Sequence, residues 1–162
     1  SGLEVLLTSA GLHALWWHRI AHRLWRWRLR LLARMVSQGA RWWTGIEIHP
    51  GATIGKRLFI DHGMGVVIGE TAIIGNRVRI YQAVTLGAKR FTADETGQLH
   101  KGRARHPIVE DDVVIYAGAT ILGRITIGQG STIGGNVWLT RSIPPGSNIT
   151  QAGLQHQKRD DA

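Results

Sequence analysis

The sequence predicts a mainly β fold, a left-handed parallel β-helix of hexapeptide repeats preceded by an α-helical segment. Three observations predict it: aliphatic residues recur every six positions along most of the chain, glycine often follows the aliphatic residue, and the amino-terminal segment instead has helical periodicity. We therefore expect a helical segment at residues 1–45, a β-helix at 46–145 and a carboxy-terminal tail at 146–162.

The amino-terminal segment has the pattern of an amphipathic helix. We expect one long helix over residues 11–38, straight or bent, which ends at Gly39 because glycine commonly terminates helices. Apolar residues cover about half of its circumference. Five arginines fall within an arc of about 80° when successive residues are placed 100° apart: Arg19, Arg23, Arg26, Arg30 and Arg34.

The wide apolar face of this helix favours packing on the rest of the chain or on a second subunit. A basic amphipathic helix that contains tryptophan can also lie on a membrane surface, and its charge can attract nucleic acid. We expect neither a membrane nor a nucleic-acid partner, because wide apolar faces usually pack against protein and no nucleic-acid-binding motif accompanies the arginines.

From residue 46 onwards the sequence is organised in six-residue units. Each unit is expected to supply one short strand and one turn, so that three units close a triangular coil with the first, aliphatic residue pointing inward. An ordinary β-sandwich is not expected, because its strands do not keep a fixed period. The unit starts are Ile48, Ile54, Ile60, Ile68, Ile74, Ile80, Leu86, Val109, Ile115, Ile121, Ile127, Ile133 and Leu139.

One unit, between Ile60 and Ile68, is two residues too long. It contains an Asp-His pair and the glycines Gly63 and Gly65. Glycine accommodates the positive φ angles that tight turns require. We expect the longer unit to bulge at its corner, so that Asp61 and His62 stand out from the wall of the coil.

A second interruption inserts 17 residues between Leu86 and Val109. Residues 88–107 are polar and contain glycine, and we expect them to form a loop that protrudes from the coil. Function in a regular coil is expected at such breaks, because an unbroken wall offers only flat strands.

The composition limits the kinds of partner. The chain has 20 Lys and Arg against 11 Asp and Glu, a net charge of +9, which favours anionic ligands such as a phosphorylated cofactor. It has no cysteine, so disulfides and thiol chemistry are excluded. No apolar run is long enough to span a membrane, and we expect a cytoplasmic protein.

Several segments together resemble the serine O-acetyltransferases. They are GLHALWWHRIAHRLW, GIEIHPGATIG, FIDHGMGVVIGETAIIGNRV, QAVTLG, RHP and GATILGRITIGQGSTIGGNVW, and the resemblance runs from about Gly11 to Pro145. It implies an enzyme that transfers an acetyl group from acetyl-CoA to the hydroxyl of L-serine, which gives O-acetylserine for cysteine biosynthesis.

The resemblance assigns roles to five residues. His62 would be the general base that removes the hydroxyl proton, a task suited to imidazole. Glu47 stands where the family has the Asp that orients this base. Asp61 would bind the serine ammonium group, Arg105 would bind the carboxylate through two hydrogen bonds, and His106 would help to position the substrate.

The resemblance also implies where acetyl-CoA binds. Gly87, Ala117, Gly118 and Gly135 match turns where small residues let the pantetheine arm approach the backbone. The CoA phosphates would meet basic side chains, for which the sequence offers Lys89, Arg90 and Arg124. No metal is expected.

Family resemblance implies a homotrimer, or a dimer of trimers, with active sites between neighbouring subunits. Two departures bear on partners. The family's substrate-binding Asp upstream of Gly11 has no counterpart here, and the tail ends in Ala rather than in the Ile that inserts into O-acetylserine sulfhydrylase. The tail therefore argues against a complex with that enzyme.

Three alternative functions stay open at this point. A hexapeptide acetyltransferase could act on a sugar or another hydroxyl acceptor. A zinc-dependent carbonic anhydrase of the same fold would need about three histidine ligands, for which His62, His100 and His106 are available. A non-catalytic scaffold could bind a partner enzyme.

Overall fold

The structure, a computed structural model, describes residues 2–89 and 103–152. Three helices come first: α1 Gly2–Thr8, α2 Ala10–Arg26 and α3 Arg30–Thr44. The strands that follow are β1 Glu47–Ile48, β2 Thr53–Ile54, β3 Phe59–Ile60, β4 Val67–Ile68, β5 Ile73–Ile74, β6 Arg79–Ile80, β7 Thr85–Gly87, β8 Ile108–Val109, β9 Val114–Ile115, β10 Thr120–Leu122, β11 Thr126–Ile127, β12 Thr132–Ile133, β13 Trp138–Leu139 and β14 Asn148–Ile149.

The prediction of one helix over residues 11–38 is wrong. The chain turns after α2 at Arg28, which has a left-handed φ of 64°, and α3 packs back against α2. The five arginines are therefore divided between two helices. Gly39 lies inside α3, and the helix ends instead at Gly45, whose φ of 71° is the usual left-handed cap.

The strands form three parallel sheets that close a left-handed β-helix. Sheet A has the order β1-β4-β7-β10-β13, sheet B has β11-β8-β5-β2, and sheet C has β14-β12-β9-β6-β3. Each strand pairs with the strand one coil away, so the sheets are the three walls of a prism. The chain passes from sheet C into sheet A at one edge of the prism, called here the C–A edge. It passes from sheet A into sheet B at a second edge, called the A–B edge.

The core confirms the six-residue pattern. Every unit start is buried, with no more than 6% of its surface exposed. These side chains stack along the axis with the small or aliphatic residues at the fifth position of each unit, which forms one continuous apolar core. A β-sandwich is excluded by the pairing of strands from successive coils.

The helices α2 and α3 cover the amino-terminal end of the prism. Gly11 lies so close to Ile60 that a Cβ would overlap its carbonyl oxygen. Arg19 donates to the carbonyl of Ile54 at 2.6 Å, and Ser37 donates to that of Ile48 at 2.7 Å. These side chains therefore donate to backbone carbonyls of the first coil, which has no earlier coil to supply N–H donors.

Two predicted segments lie partly outside the described residues. The expected loop at 88–107 is described only at 88–89 and 103–107, and the tail only to residue 152. The last strand, β14, lies within the predicted tail and pairs with β12 of the β-helix. The boundaries of the three expected parts stay predictions. None of the helices in residues 2–89 and 103–152 is long and apolar enough to cross a membrane.

Candidate active site

The long unit after Ile60 forms a bulge at the C–A edge. In this unit Gly65 takes the left-handed corner position with φ 75°, while His62 and Gly63 add two further positive φ angles, 59° and 87°. Gly63 N–H donates to the Asp61 carbonyl at 2.7 Å, which closes a tight turn centred on His62. Seven of the regular units have a single residue of this kind, at the fourth position: Arg57, Arg77, Ala83, Asp112, Gly118, Gly130 and Asn136.

The bulge presents Asp61 and His62 to solvent, as expected from the sequence. The side chain of His62 is 71% exposed and that of Asp61 41%, and His62 Nε2 lies 4.0 Å from Asp61 Oδ1. Two consecutive left-handed residues, His62 and Gly63, distinguish this bulge from the regular corners of the coil. The edge therefore offers an accessible imidazole with a carboxylate beside it.

Glu47 lies close to this edge but has a different partner. It is in β1, beside Val67 of β4, and its backbone N–H donates to the Val66 carbonyl at 2.9 Å. Its carboxylate Oε2 is 3.3 Å from Nε of Arg41 in α3. Among the described residues no hydrogen bond joins Glu47 to His62, and the expected pair stays a prediction.

Arg105 and His106 lie at the A–B edge, where the chain enters β8. His106 is 6% exposed, and its Nδ1 accepts a hydrogen bond from Thr71 N–H at 3.1 Å. Burial lowers the pKa of His106 to about 4, and the positive charge of Arg105 acts in the same direction. His106 is therefore neutral at physiological pH.

The surroundings of His106 include contacts that the sequence did not predict. A Cβ on Gly69 would overlap the imidazole ring, so only glycine leaves room for it. Arg124 Nη1 donates to the carbonyls of Thr71 at 2.7 Å and of His106 at 3.1 Å. The one available signal was the GET sequence directly after the long unit, because contacts between residues 18 to 53 positions apart leave no local pattern.

His62 and His106 lie at opposite ends of strand β4. The bulge with His62 precedes Val67, whereas His106 contacts Gly69 and Thr71, which follow Ile68. One chain therefore presents the two groups of expected site residues at two different edges, and it does not bring them together.

The expected cofactor residues divide between the same two edges. Ala117, Gly118 and Gly135 belong to the C–A edge: Asn136 N–H donates to the Ala117 carbonyl at 2.9 Å, and Gly118 has a φ of 72°. Gly87 ends β7 at the A–B edge, and its carbonyl accepts from Gly123 N–H at 3.0 Å.

Of the basic residues considered for the CoA phosphates, two lie in the described residues. Lys89 extends over Gly123, where an added Cβ would be 3.2 Å from its side chain. Arg124 instead donates to two backbone carbonyls. Arg90 lies outside the described residues, as does His100, one of the three histidines considered for zinc. Within the described ranges, no three His, Asp or Glu side chains could hold a metal ion.

Comparison with known proteins gives consistent matches. Residues 106–141 match the family described as bacterial transferase hexapeptide (six repeats). The chain is 66% identical to the plasmid serine acetyltransferase of Synechococcus elongatus, over 94% of this chain and 48% of that protein. It is 49% identical to the serine acetyltransferase of Bacillus subtilis, over 99% of this chain and 76% of that protein.

Solved structures agree with these relatives. Soybean serine acetyltransferase complexed with serine superimposes with a TM-score of 0.81 at 42% identity, over 90% of this chain and 56% of that chain. The Neisseria gonorrhoeae enzyme in complex with serine gives a TM-score of 0.82 at 37% identity, over 91% and 56%. The chain spans about half the length of several of these proteins, and it belongs to the serine acetyltransferase family.

Proposed function

We propose that this chain is a serine O-acetyltransferase that transfers the acetyl group of acetyl-CoA to the hydroxyl of L-serine. The observation that carries the proposal is the bulge that exposes Asp61 and His62 at one edge, with Arg105 and His106 held at the next. Relatives named serine acetyltransferase, two of them in complex with serine, support serine as the acceptor.

The proposed mechanism uses the two groups of side chains on one serine molecule. Asp61 binds the ammonium group and Arg105 the carboxylate, so that the hydroxyl lies near His62. As the serine oxygen bonds to the thioester carbonyl carbon, its proton passes to His62, which Glu47 orients. The C–S bond then breaks, the proton on His62 passes to the leaving sulfur, and the products are O-acetylserine and CoA.

Acetyl-CoA is proposed to bind along the C–A edge. Ala117 and Gly118 lie in one coil above the bulge and Gly135 in the next, and their small side chains would let the pantetheine arm approach the backbone. Gly87 would contact the cofactor from the A–B edge. Lys89 is proposed to meet a phosphate, since the two backbone contacts of Arg124 favour a structural role for that residue.

A homotrimer is proposed because His62 and His106 lie at opposite ends of β4 within one chain. A site that uses both needs His62 from one subunit and His106 from its neighbour, and three-fold symmetry closes such an arrangement. Light scattering distinguishes the trimer from a dimer of trimers. A cytoplasmic location goes with the proposal, since acetyl-CoA is an intracellular co-substrate. No complex with O-acetylserine sulfhydrylase is proposed.

The experiment that tests the function is release of free CoA from acetyl-CoA with a panel of acceptors. L-serine should give rapid release, while galactosides, maltose and D-serine should give little above the rate of hydrolysis. Mass spectrometry should find O-acetylserine. Preference for a sugar would favour the alternative acetyltransferase, and no release with any acceptor would favour a scaffold, so either result would overturn the proposal.

A further inference from the structure

The Thr71 hydroxyl forms three interactions with the segment that carries the proposed serine ligands. Its Oγ1 accepts from the backbone N–H groups of Arg105 at 2.9 Å and of His106 at 3.1 Å. It also lies 2.8 Å from His106 Nδ1. A hydroxyl has one proton and two lone pairs. The two backbone donors use the lone pairs, so the proton is directed to Nδ1.

The backbone leads to the same proton assignment independently. Thr71 N–H also points at His106 Nδ1, 3.1 Å away, and a peptide N–H can only donate. Nδ1 must therefore act as an acceptor, because a proton there would face two donors. In a neutral imidazole the proton then lies on Nε2. Among the described residues Nε2 has no hydrogen-bond partner.

Two further features fix the position of the His106 ring. Gly69 leaves the space that the Cδ2–Nε2 edge occupies. Arg124 joins the Thr71 and His106 carbonyls and so holds the two segments together. Charged and titratable groups act on the ring from several elements: Arg105, Arg124 and His49 oppose its protonation, and Glu70 favours it. The ring is thus held in place with its Nε2–H free to donate.

We propose that Thr71 is a positioning residue that holds His106 as the Nε2–H tautomer, which makes His106 a neutral hydrogen-bond donor to serine. This inference rests on the proposed function and assigns different roles to the two histidines. His106, with Nδ1 occupied and its proton on Nε2, binds and orients the amino acid. His62 remains as the imidazole that accepts the hydroxyl proton.

The test combines a Thr71 series with nitrogen NMR of the histidine rings. Thr71→Val keeps the shape of the side chain but removes the hydroxyl, whereas Thr71→Ser keeps the hydroxyl. We expect Thr71→Val to raise the KM for serine about tenfold, the usual effect of leaving a hydrogen-bond partner unpaired. Its kcat and its KM for acetyl-CoA should change less than about twofold. Thr71→Ser should restore the serine KM.

The matched control is Thr53→Val, at an exposed threonine on sheet B whose hydroxyl has no hydrogen-bond partner among the described residues, and its kinetics should equal those of the wild type. In the wild-type protein, labelled with ¹⁵N-histidine and assigned with His106→Gln, the His106 signal should show protonated Nε2 and unprotonated Nδ1. A proton on Nδ1, or an unchanged serine KM in Thr71→Val, would overturn the proposal. The NMR result does not need enzyme activity, so it stands apart from a failure of the proposed function.

Discussion

Glu47 and Arg41 form an ion pair across the junction of α3 and β1, with Oε2 3.3 Å from Nε. The expected partner of Glu47 is His62, which lies near the same end of sheet A. One carboxylate thus has two candidate roles: it can fix the last turn of α3 against the coil, or it can orient the imidazole of the bulge. Substitution of each partner separates the two roles.

We predict that Glu47→Gln lowers kcat on the order of 100-fold or more, since a base without its orienting carboxylate loses the correct tautomer and the stabilisation of its charged form. Arg41→Gln should change kcat less than about twofold, because it removes the ion pair and keeps the carboxylate. Steady-state kinetics with both substrates is the measurement. Equal losses in the two variants would mean that Glu47 acts only through Arg41.

His62→Asn should lower kcat by roughly 10²–10⁴, the range for loss of a general base. Asparagine tolerates the left-handed backbone that His62 adopts, so the melting temperature should stay within a few degrees of the wild type. His62→Ala is a second variant that the fold should accept, since Ala83 already has a φ of 57°. A well-folded variant with normal turnover would remove His62 from the mechanism.

Subunits that are each inactive should restore activity when mixed, if one site uses His62 and His106 from different chains. Denatured His62→Asn and His106→Asn chains, refolded together in equal amounts, should recover about a quarter of the wild-type activity, because random assembly pairs two intact residues in that fraction of sites. Each variant refolded alone is the control. No recovery from a properly assembled mixture would show that both residues act within one chain.

The regular part of the fold could be predicted because its cause is local and repeated. Each unit start must be apolar to fill the same axial core, so a period of six in the sequence is also a period in space. The break at Arg28 left no comparable signal. Arginine is not a residue that marks a left-handed turn, and the apolar faces of α2 and α3 follow one another without a gap in the pattern. Gly39 looked like a terminator, yet it lies in an exposed part of α3.

The candidate site could be predicted only where it interrupts the repeat or matches a family motif. The two-residue slip identified Asp61 and His62 without any reference to three-dimensional contacts. The contacts of Thr71 and Arg124 were not predicted, since their partners are separated from them by 18 to 53 residues and their own positions in the repeat look ordinary. Hydrogen bonds between coils depend on side-chain directions that spacing alone does not give.

Gly69→Ala and Gly39→Ala form a matched pair of substitutions. At Gly69 the new methyl group would overlap the His106 ring, so we predict a higher KM for serine, about tenfold or more, as the donor moves away from its partner. At Gly39 nothing lies within 4 Å of the added atom, and alanine inside a helix should raise the free energy of unfolding by about 0.5–1 kcal/mol. Kinetics and urea titrations measure the two effects. A normal serine KM in Gly69→Ala would show that the ring can shift without loss of binding.

His18 should make the protein sensitive to acid. It is 3% exposed between α2 and the first coil, neither ring nitrogen has a hydrogen-bond partner among the described residues, and burial lowers its pKa to about 3. The nearby His22 and Arg19 side chains act in the same direction as burial. An unfolded histidine takes up its proton near pH 6.5, so the unfolded state binds more protons than the folded state between about pH 6.5 and 3. Stability is therefore lost as the pH falls through that range.

The effect of His18 can be separated from those of the other histidines with His18→Leu. Between pH 7.5 and pH 5 the wild type should lose about 2 kcal/mol more unfolding free energy than the variant, because one proton is taken up over roughly 1.5 pH units. At pH 7.5 the difference in unfolding free energy between the wild type and His18→Leu reports packing alone. The change in this difference between pH 7.5 and pH 5 reports the titration of His18. Denaturant titrations at one protein concentration avoid the effect of subunit association. Parallel loss of stability in both proteins would show that His18 is protonated in the folded state or reaches water there.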